Sequence, residues 1–266
     1  MLEHNNATIY YETAGSGQPI IFIHAGVADS RQWNNEFERL SDRFHVIRYD
    51  QRGFGKSEPV DGEFSFLDDL EGLLDHFNLD QPVTLVGCSM GGGTALDYAL
   101  HAPDKVRALV IVDSAPSTLR LDVPKPEKFK LVDEADKDGD LELVCELETQ
   151  IWFDGNRETS SVDQKMRKLA YDMNFIALQQ EAKELGTQRP NLEAPAANRL
   201  AEIKIPVLAI LGANDIPYMH AALEFLKEHI SGIQTATIQD AAHLPNLDQP
   251  EEFEKLLVEF IEGAIA

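Results

Sequence analysis

The sequence of 266 residues predicts the α/β fold class, with a mostly parallel sheet flanked by helices. Three observations carry this. Apolar runs such as Ile20-Ile21-Phe22-Ile23 and Ala108-Leu109-Val110-Ile111-Val112 lack polar alternation, the mark of strands buried on both faces. These runs take turns with stretches of helical spacing. The rhythm stops over residues 119–198, a charged stretch without strand-like runs of β-branched residues, and then resumes.

In chain order, residues 8–11 read as an edge strand and Gly15-Ser16-Gly17-Gln18-Pro19 as a turn into the buried strand 20–23. A strand follows over 44–49. Leu67, Leu70, Leu73, Leu74 and Phe77 recur in steps of three and four, which predicts an amphipathic helix over 66–77. Next come a strand over 83–86, a helix over 94–100 and a strand over 108–112. Residues 119–198 read as helices over 141–153, 162–173 and 175–185, with Pro124, Pro126, Pro190 and Pro195 punctuating the ends. A strand over 206–211, a helix over 219–229, a strand over 234–238 and a helix over 250–261 complete the chain. The expected organisation is one α/β core, residues 1–118 and 199–266, interrupted by a helical insertion at 119–198.

Composition narrows the function. The chain is 43% hydrophobic and 26% charged, values of a folded globular unit rather than of a disordered or fibrous one. No apolar run reaches the roughly 18–20 residues of a membrane span, and the first residues lack a basic patch followed by an apolar stretch. Two cysteines make no disulfide framework, so the expected location is cytoplasmic and the Asn6-Ala7-Thr8 sequon is read as idle. The net charge of −23 disfavours nucleic acid and anionic membrane surfaces as partners. Residues 120–198 hold 17 acids against 11 bases, so the acidity is spread through both parts and reads as a solvated surface. A small-molecule substrate is the expected partner; the oligomeric state stays open.

The strongest chemical signal is Gly87-Cys88-Ser89-Met90-Gly91, directly after one predicted strand and before a helix. In a G-x-S-x-G turn at such a corner the serine is forced outward, and the flanking glycines relieve crowding. A nucleophilic serine needs a base, and the base needs an acid to orient it. His243 lies between the last strand and the last helix, and Asp215 directly follows the strand 206–211. Both loops open at the sheet edge where Ser89 sits, so Asp215 and His243 complete the candidate triad. Asp113, at the end of the strand 108–112, is the rival acid. Behind the serine, the N–H of Met90 is one candidate oxyanion donor. The small turn His24-Ala25-Gly26-Val27 supplies the second from Gly26, with Val27 as runner-up. His24 itself is read as structural.

Two patterns imitate other sites. Asp50-Gln51-Arg52-Gly53-Phe54-Gly55-Lys56-Ser57 matches neither phosphate-loop spacing and reads as a rigid loop whose Asp50 and Arg52 make internal hydrogen bonds. Glu134-Ala135-Asp136-Lys137-Asp138-Gly139-Asp140 mimics a calcium loop, but Cys145 falls where the bidentate carboxylate belongs. Cys88 is read as packing, and Trp152 and Phe153 as core of the insertion, with one of them available to line a pocket.

Together these residues resemble the α/β-hydrolase fold superfamily along essentially the whole chain. His24-Ala25-Gly26 is similar to the family's His-Gly oxyanion loop, with Ala25 where glycine is usual. Asp50 to Ser57 is similar to an Asp-x-Arg-Gly-x-Gly-x-Ser loop of small bacterial members, and residues 119–198 to the family's helical cap. The resemblance implies Ser89 as nucleophile, Asp215 as acid and His243 as base, with no metal and no organic cofactor. Serine at position 89 argues against haloalkane dehalogenases, epoxide hydrolases and dienelactone hydrolases. Cleavage of a small carboxylic ester is the leading expectation. C–C bond hydrolysis, enol-lactone hydrolysis, proline iminopeptidase activity, and perhydrolase activity suggested by Ser-Met-Gly-Gly-Gly, stay open. So does a receptor that binds a small molecule without turnover, which p-nitrophenyl acetate hydrolysis would distinguish from an enzyme.

Overall fold

The computed structural model describes residues 1–265. A hairpin of β1 (Leu2–His4) and β2 (Ala7–Ile9) precedes β3 (Tyr11–Ala14) and β4 (Pro19–Ile23). Then follow α1 (Asn34–Leu40), β5 (His45–Tyr49), β6 (Glu63–Phe64), α2 (Phe66–Phe77), β7 (Val83–Cys88), α3 (Met90–His101) and β8 (Val106–Val112). Three helices occupy the stretch before the next core strand: α4 (Lys128–Lys137), α5 (Leu141–Thr149) and α6 (Gln164–Glu181), followed by β9 (Thr187–Gln188). The chain ends with β10 (Val207–Gly212), α7 (Pro217–His229), β11 (Gln234–Ile238), α8 (Pro245–Asp248) and α9 (Pro250–Ile265).

Seven strands form the central sheet in the order β11-β10-β8-β7-β4-β5-β3. All pair in parallel except β3, which runs antiparallel to β5 at the edge. Along the inner strands, side chains alternate between two buried faces. Ile21, Ile23, Leu85 and Leu109 meet α2, α3 and α7, whereas Phe22, Val86, Val110 and Ile210 meet α9. Burial on both sides is why these strands read as unbroken apolar runs. Since β4, β5, β7, β8, β10 and β11 are parallel, the loops that follow them all open at one edge. Ligands of such sheets bind outside that edge. Among the described residues, no helix is long and apolar enough to cross a membrane.

Several elements differ from the sequence expectation. The expected edge strand 8–11 divides between β2 and β3, and β3 is the true edge. The two helices expected over 162–173 and 175–185 are one, α6, because no proline or glycine interrupts it. Asn174, at the expected break, is buried and bonded to Glu148 of α5. The stretch read as strandless contains the two-residue β9, paired with β6.

Candidate active site

Ser89 occupies the turn between β7 and α3 with φ 51° and ψ −115°, a backbone state that a non-glycine residue adopts only under constraint. The sequence imposes it through the neighbouring glycines. A Cβ at Gly87 would collide with the Gly91 carbonyl, and one at Gly91 with the carbonyls of Ile23 and His24. Gly92 packs as tightly on Ser114, whereas Gly93 has room for a methyl group. The Ser89 amide donates to the Val112 carbonyl at 2.9 Å, and the Ser114 hydroxyl donates to the Ser89 carbonyl.

The closeness of Gly91 to the end of β4 sets the oxyanion candidates side by side. Gly26 faces the Met90 side chain. Among the described residues, the amides of Gly26, Val27 and Met90 donate to no protein acceptor. Ala25, by contrast, donates to Gln32 Oε1 at 2.9 Å. Gly26 and Val27 thus both remain eligible as the second donor. His24 is buried and held at both nitrogens: Nδ1 donates to the Ala25 carbonyl, and Nε2 accepts from the Gln51 amide at 2.9 Å. Burial lowers its pKa, consistent with this neutral tautomer. Asp50 accepts from the amides of Ser30 and Lys56, and Arg52 pairs with Asp69 through two hydrogen bonds, the internal network expected of that loop.

Asp215 and His243 come together. Asp215 Oδ2 lies 2.6 Å from His243 Nδ1, and both side chains are buried. A buried carboxylate on Nδ1 fixes that nitrogen as the protonated one and leaves Nε2 as the free base. The residue before Ser89 touches the same loop, with Cys88 Sγ donating to the His243 carbonyl at 3.4 Å. Cys88 is otherwise packed in the core. Among the described residues, the Ser89 hydroxyl forms no hydrogen bond, so Asp215 and His243 are joined while Ser89 is not yet linked to them. Unliganded sites often show this looseness.

The rival acid is present as well. Asp113, Asp215 and His243 place polar atoms within 4.8 Å of one another, all buried. Asp113 accepts the Gly212 amide at 2.9 and 3.2 Å and holds φ at 40°. Burial, and then the neighbouring Asp215, push the Asp113 carboxyl well above the usual carboxylate range. Asp113 is thus shifted toward its neutral form beside Asp215, and it is Asp215 that contacts the imidazole.

Sequence reasoning missed the contact on the other side of the His243 ring. The Trp152 ring lies 4.5 Å from the His243 ring, and the His243 amide donates to the Trp152 carbonyl at 3.1 Å. Trp152 belongs to a π-helical turn, Gln150–Asp154, a departure from α geometry common at functional sites. Phe153 is the member of the pair that joins the core. A cavity of about 370 Å³ borders Gly26, Val27 and Met90 and is walled by Phe54, Glu148 and Gln180. A larger recess of about 520 Å³, near Val83 and Lys105, lies at the opposite edge of the sheet from these groups.

A profile of the family described as alpha/beta hydrolase fold matches residues 18–250. The chain belongs to that family. This hydrolase is 27% identical to 3-oxoadipate enol-lactonase 2 of Acinetobacter baylyi, over 95% of its own length and 92% of the relative's. It is 28% identical to the pimeloyl-[acyl-carrier protein] methyl ester esterase of Nitrosomonas europaea, over 93% and 97%. Among solved structures, a thermophilic esterase from Thermogutta terrifontis superposes with a TM-score of 0.74 at 25% identity, covering 97% of this chain and 94% of that one.

Proposed function

We propose that this hydrolase cleaves a small carboxylic ester through an acyl-enzyme. The observation that carries the reading is the buried 2.6 Å contact between Asp215 and His243, in loops beside the constrained Ser89 turn. In the proposed reaction His243 Nε2 takes the Ser89 proton as Oγ attacks the ester carbonyl. The carbonyl oxygen becomes an oxyanion, held by the amide of Met90 and that of Gly26 or Val27. Losing one such donor costs about 2.7–4 kcal/mol of barrier. The imidazolium, stabilised by Asp215, returns the proton to the departing alcohol as the C–O bond breaks. Water then gives His243 a proton and attacks the acyl carbon, releasing the acid and restoring the Ser89 hydroxyl. None of these steps calls on a cofactor.

The relatives support acyl chemistry of this kind: that of Nitrosomonas is a methyl ester esterase and that of Acinetobacter an enol-lactonase. A lactone is a cyclic ester, so enol-lactone opening is the second reading on the same residues. Within the proposal, residues 119–198 act as a cap whose Trp152 packs on the base. A cytoplasmic site of action is part of it too, consistent with Cys88 and Cys145 both being free and buried.

The test is p-nitrophenyl acetate turnover together with labelling by a fluorophosphonate. Wild type is expected to turn over repeatedly and to be labelled at Ser89 alone. Folded Ser89→Ala is expected to lose on the order of 10⁶-fold in kcat and all labelling. Full activity in that variant, or binding without multiple turnover in wild type, would refute the reading.

A further inference from the structure

The cavity beside the oxyanion candidates has an unbalanced charge. Three ionisable side chains border it: Arg52, Glu148 and Glu181. The arginine is already spent. Its Nε and one terminal nitrogen hold both oxygens of Asp69 at 3.0 and 2.7 Å, and it donates further to the carbonyls of Asn5 and His4. Both members of that ion pair are buried, so the guanidinium is committed to its own carboxylate. Among the described residues, no other lysine or arginine borders the cavity.

The two carboxylates have no comparable partner. Glu148, on α5, accepts one hydrogen bond, from Asn174 Nδ2 to Oε2 at 2.8 Å. It also borders a small cleft with Val27, Trp152 and Leu244, which places it between the oxyanion loop and the base loop. Burial, with Glu181 adding to it, pushes the Glu148 carboxyl upward, the response of an acid short of countercharge. Glu181 is exposed on α6. A separate observation points the same way. Gln180 is only 9% exposed, and its Oε1 is a buried acceptor without a partner. An unpaired buried acceptor is costly, and a ligand donor would satisfy it. Phe54, Phe64 and Phe66 line the remaining wall; Arg52 already lies over the Phe64 ring, and the faces of aromatic rings such as Phe54 and Phe66 attract cations.

We propose that this cavity receives the ammonium end of an amino-bearing ester, with Glu148 as its principal partner and Gln180 as a second acceptor. The assignment rests on the ester-hydrolase reading for its chemistry, but its binding half stands apart. A carboxylate-bearing substrate would meet Glu148 and Glu181 with only a neutralised Arg52 to offset them.

The experiment has a binding arm and a kinetic arm. Calorimetry compares hexylammonium, hexan-1-ol and hexanoate on the whole protein at pH 7. Hexylammonium is expected to bind about 10–100-fold more tightly than the alcohol, the range of a charge-assisted hydrogen bond, with hexanoate weakest. Folded Glu148→Gln is expected to bring ammonium and alcohol to within a few fold of each other, and Glu181→Gln to have a smaller effect. The kinetic arm follows kcat/KM by pH-stat for two isosteric pairs. Methyl 4-(dimethylamino)butanoate against methyl 5-methylhexanoate reads the acyl side; 2-(dimethylamino)ethyl butanoate against 3-methylbutyl butanoate reads the alcohol side. One pair is expected to favour its charged member about 10–100-fold. Hexanoate binding as tightly as hexylammonium, an undiminished preference in folded Glu148→Gln, or no charge preference in either ester pair would each overturn the proposal. Ammonium-selective binding in a protein that hydrolyses no ester would support the cavity assignment and refute the ester reading instead.

Discussion

Asp113 and Asp215 lie side by side, yet substitution by asparagine should affect them very differently. At Asp215 the amide replaces the acceptor of the His243 Nδ1–H bond, which is 2.6 Å long and buried. Asparagine there can turn its NH₂ toward the ring and favour the wrong tautomer, a loss of about 10⁴-fold in kcat in triads of this kind. At Asp113 the structure predicts little. Burial and the neighbouring Asp215 push this carboxyl toward its neutral form, which asparagine imitates. Its carbonyl oxygen can still accept the Gly212 amide, and its NH₂ can still donate toward Asp215. The expected loss is within about tenfold, equivalent to about 1.4 kcal/mol of barrier. Asp113→Ala separates structure from charge. It strands the buried Gly212 amide and should lower stability by about 1–3 kcal/mol. The assay is kcat on p-nitrophenyl acetate for variants whose circular dichroism and melting curves show them folded. Should folded Asp113→Asn lose as much activity as Asp215→Asn, the reasoning fails, because Asp113 would then carry the charge that orients the base.

Three further outcomes follow from the same geometry. Gly87→Ala should fail to fold or lose activity, since its methyl meets the Gly91 carbonyl, whereas Gly93→Ala should stabilise α3 by up to about 1 kcal/mol; melting temperatures and turnover check both. Glu36 is 1% exposed, and burial raises its pKa from 4.5 to about 8. The folded chain therefore binds more protons than the unfolded one above pH 4.5, wild type loses up to about 3 kcal/mol of stability between there and pH 7, and Glu36→Gln avoids that loss. A melting-temperature gain in Glu36→Gln that fails to widen from pH 5 to pH 8 would contradict this. Trp152→Ala removes the ring packed on His243, and should raise KM and alter substrate preference while fluorophosphonate still labels Ser89.

Much of this arrangement is legible locally. A strand buried on both faces has to be apolar without alternation, so β4, β7, β8 and β10 stand out in the sequence. Gly87 and Gly91 are the chemical requirement of the Ser89 turn itself. Asp215 and His243 each directly follow a strand or precede a helix, so their common edge is deducible from a parallel sheet. What is not legible depends on distant packing. Asp113 approaches Asp215 because β8 and β10 are neighbours, with Val112 paired to Ile210, and strand adjacency has no local signature. Glu148 and Gln180 are acids and amides on helices whose spacing fits a solvated face as well as a cavity wall. Only the packing of α5 on α6 turns Asn174 toward Glu148 and buries Gln180.

That packing also decides how the stretch between β8 and β10 relates to His243. Its π-helical turn presents Trp152 to His243 and ends at Gly155, where φ is 62° and a side chain would strike the Asn214 carbonyl and Ala242. Arg157 then reaches back across the junction. It holds both oxygens of Asp248 at 3.0 and 2.8 Å, and Asp248 in turn accepts the Ala242 amide at 2.9 Å. The residue before His243 is thus tied to the helical stretch through one buried carboxylate. Arg167 fixes the same turn from α6 through Asp154. One ion pair thus joins the helical stretch to the His243 loop, and a second holds the turn that carries Trp152. The arrangement ties the helices to the loop that carries His243, through the Trp152 contact and the Arg157–Asp248 pair.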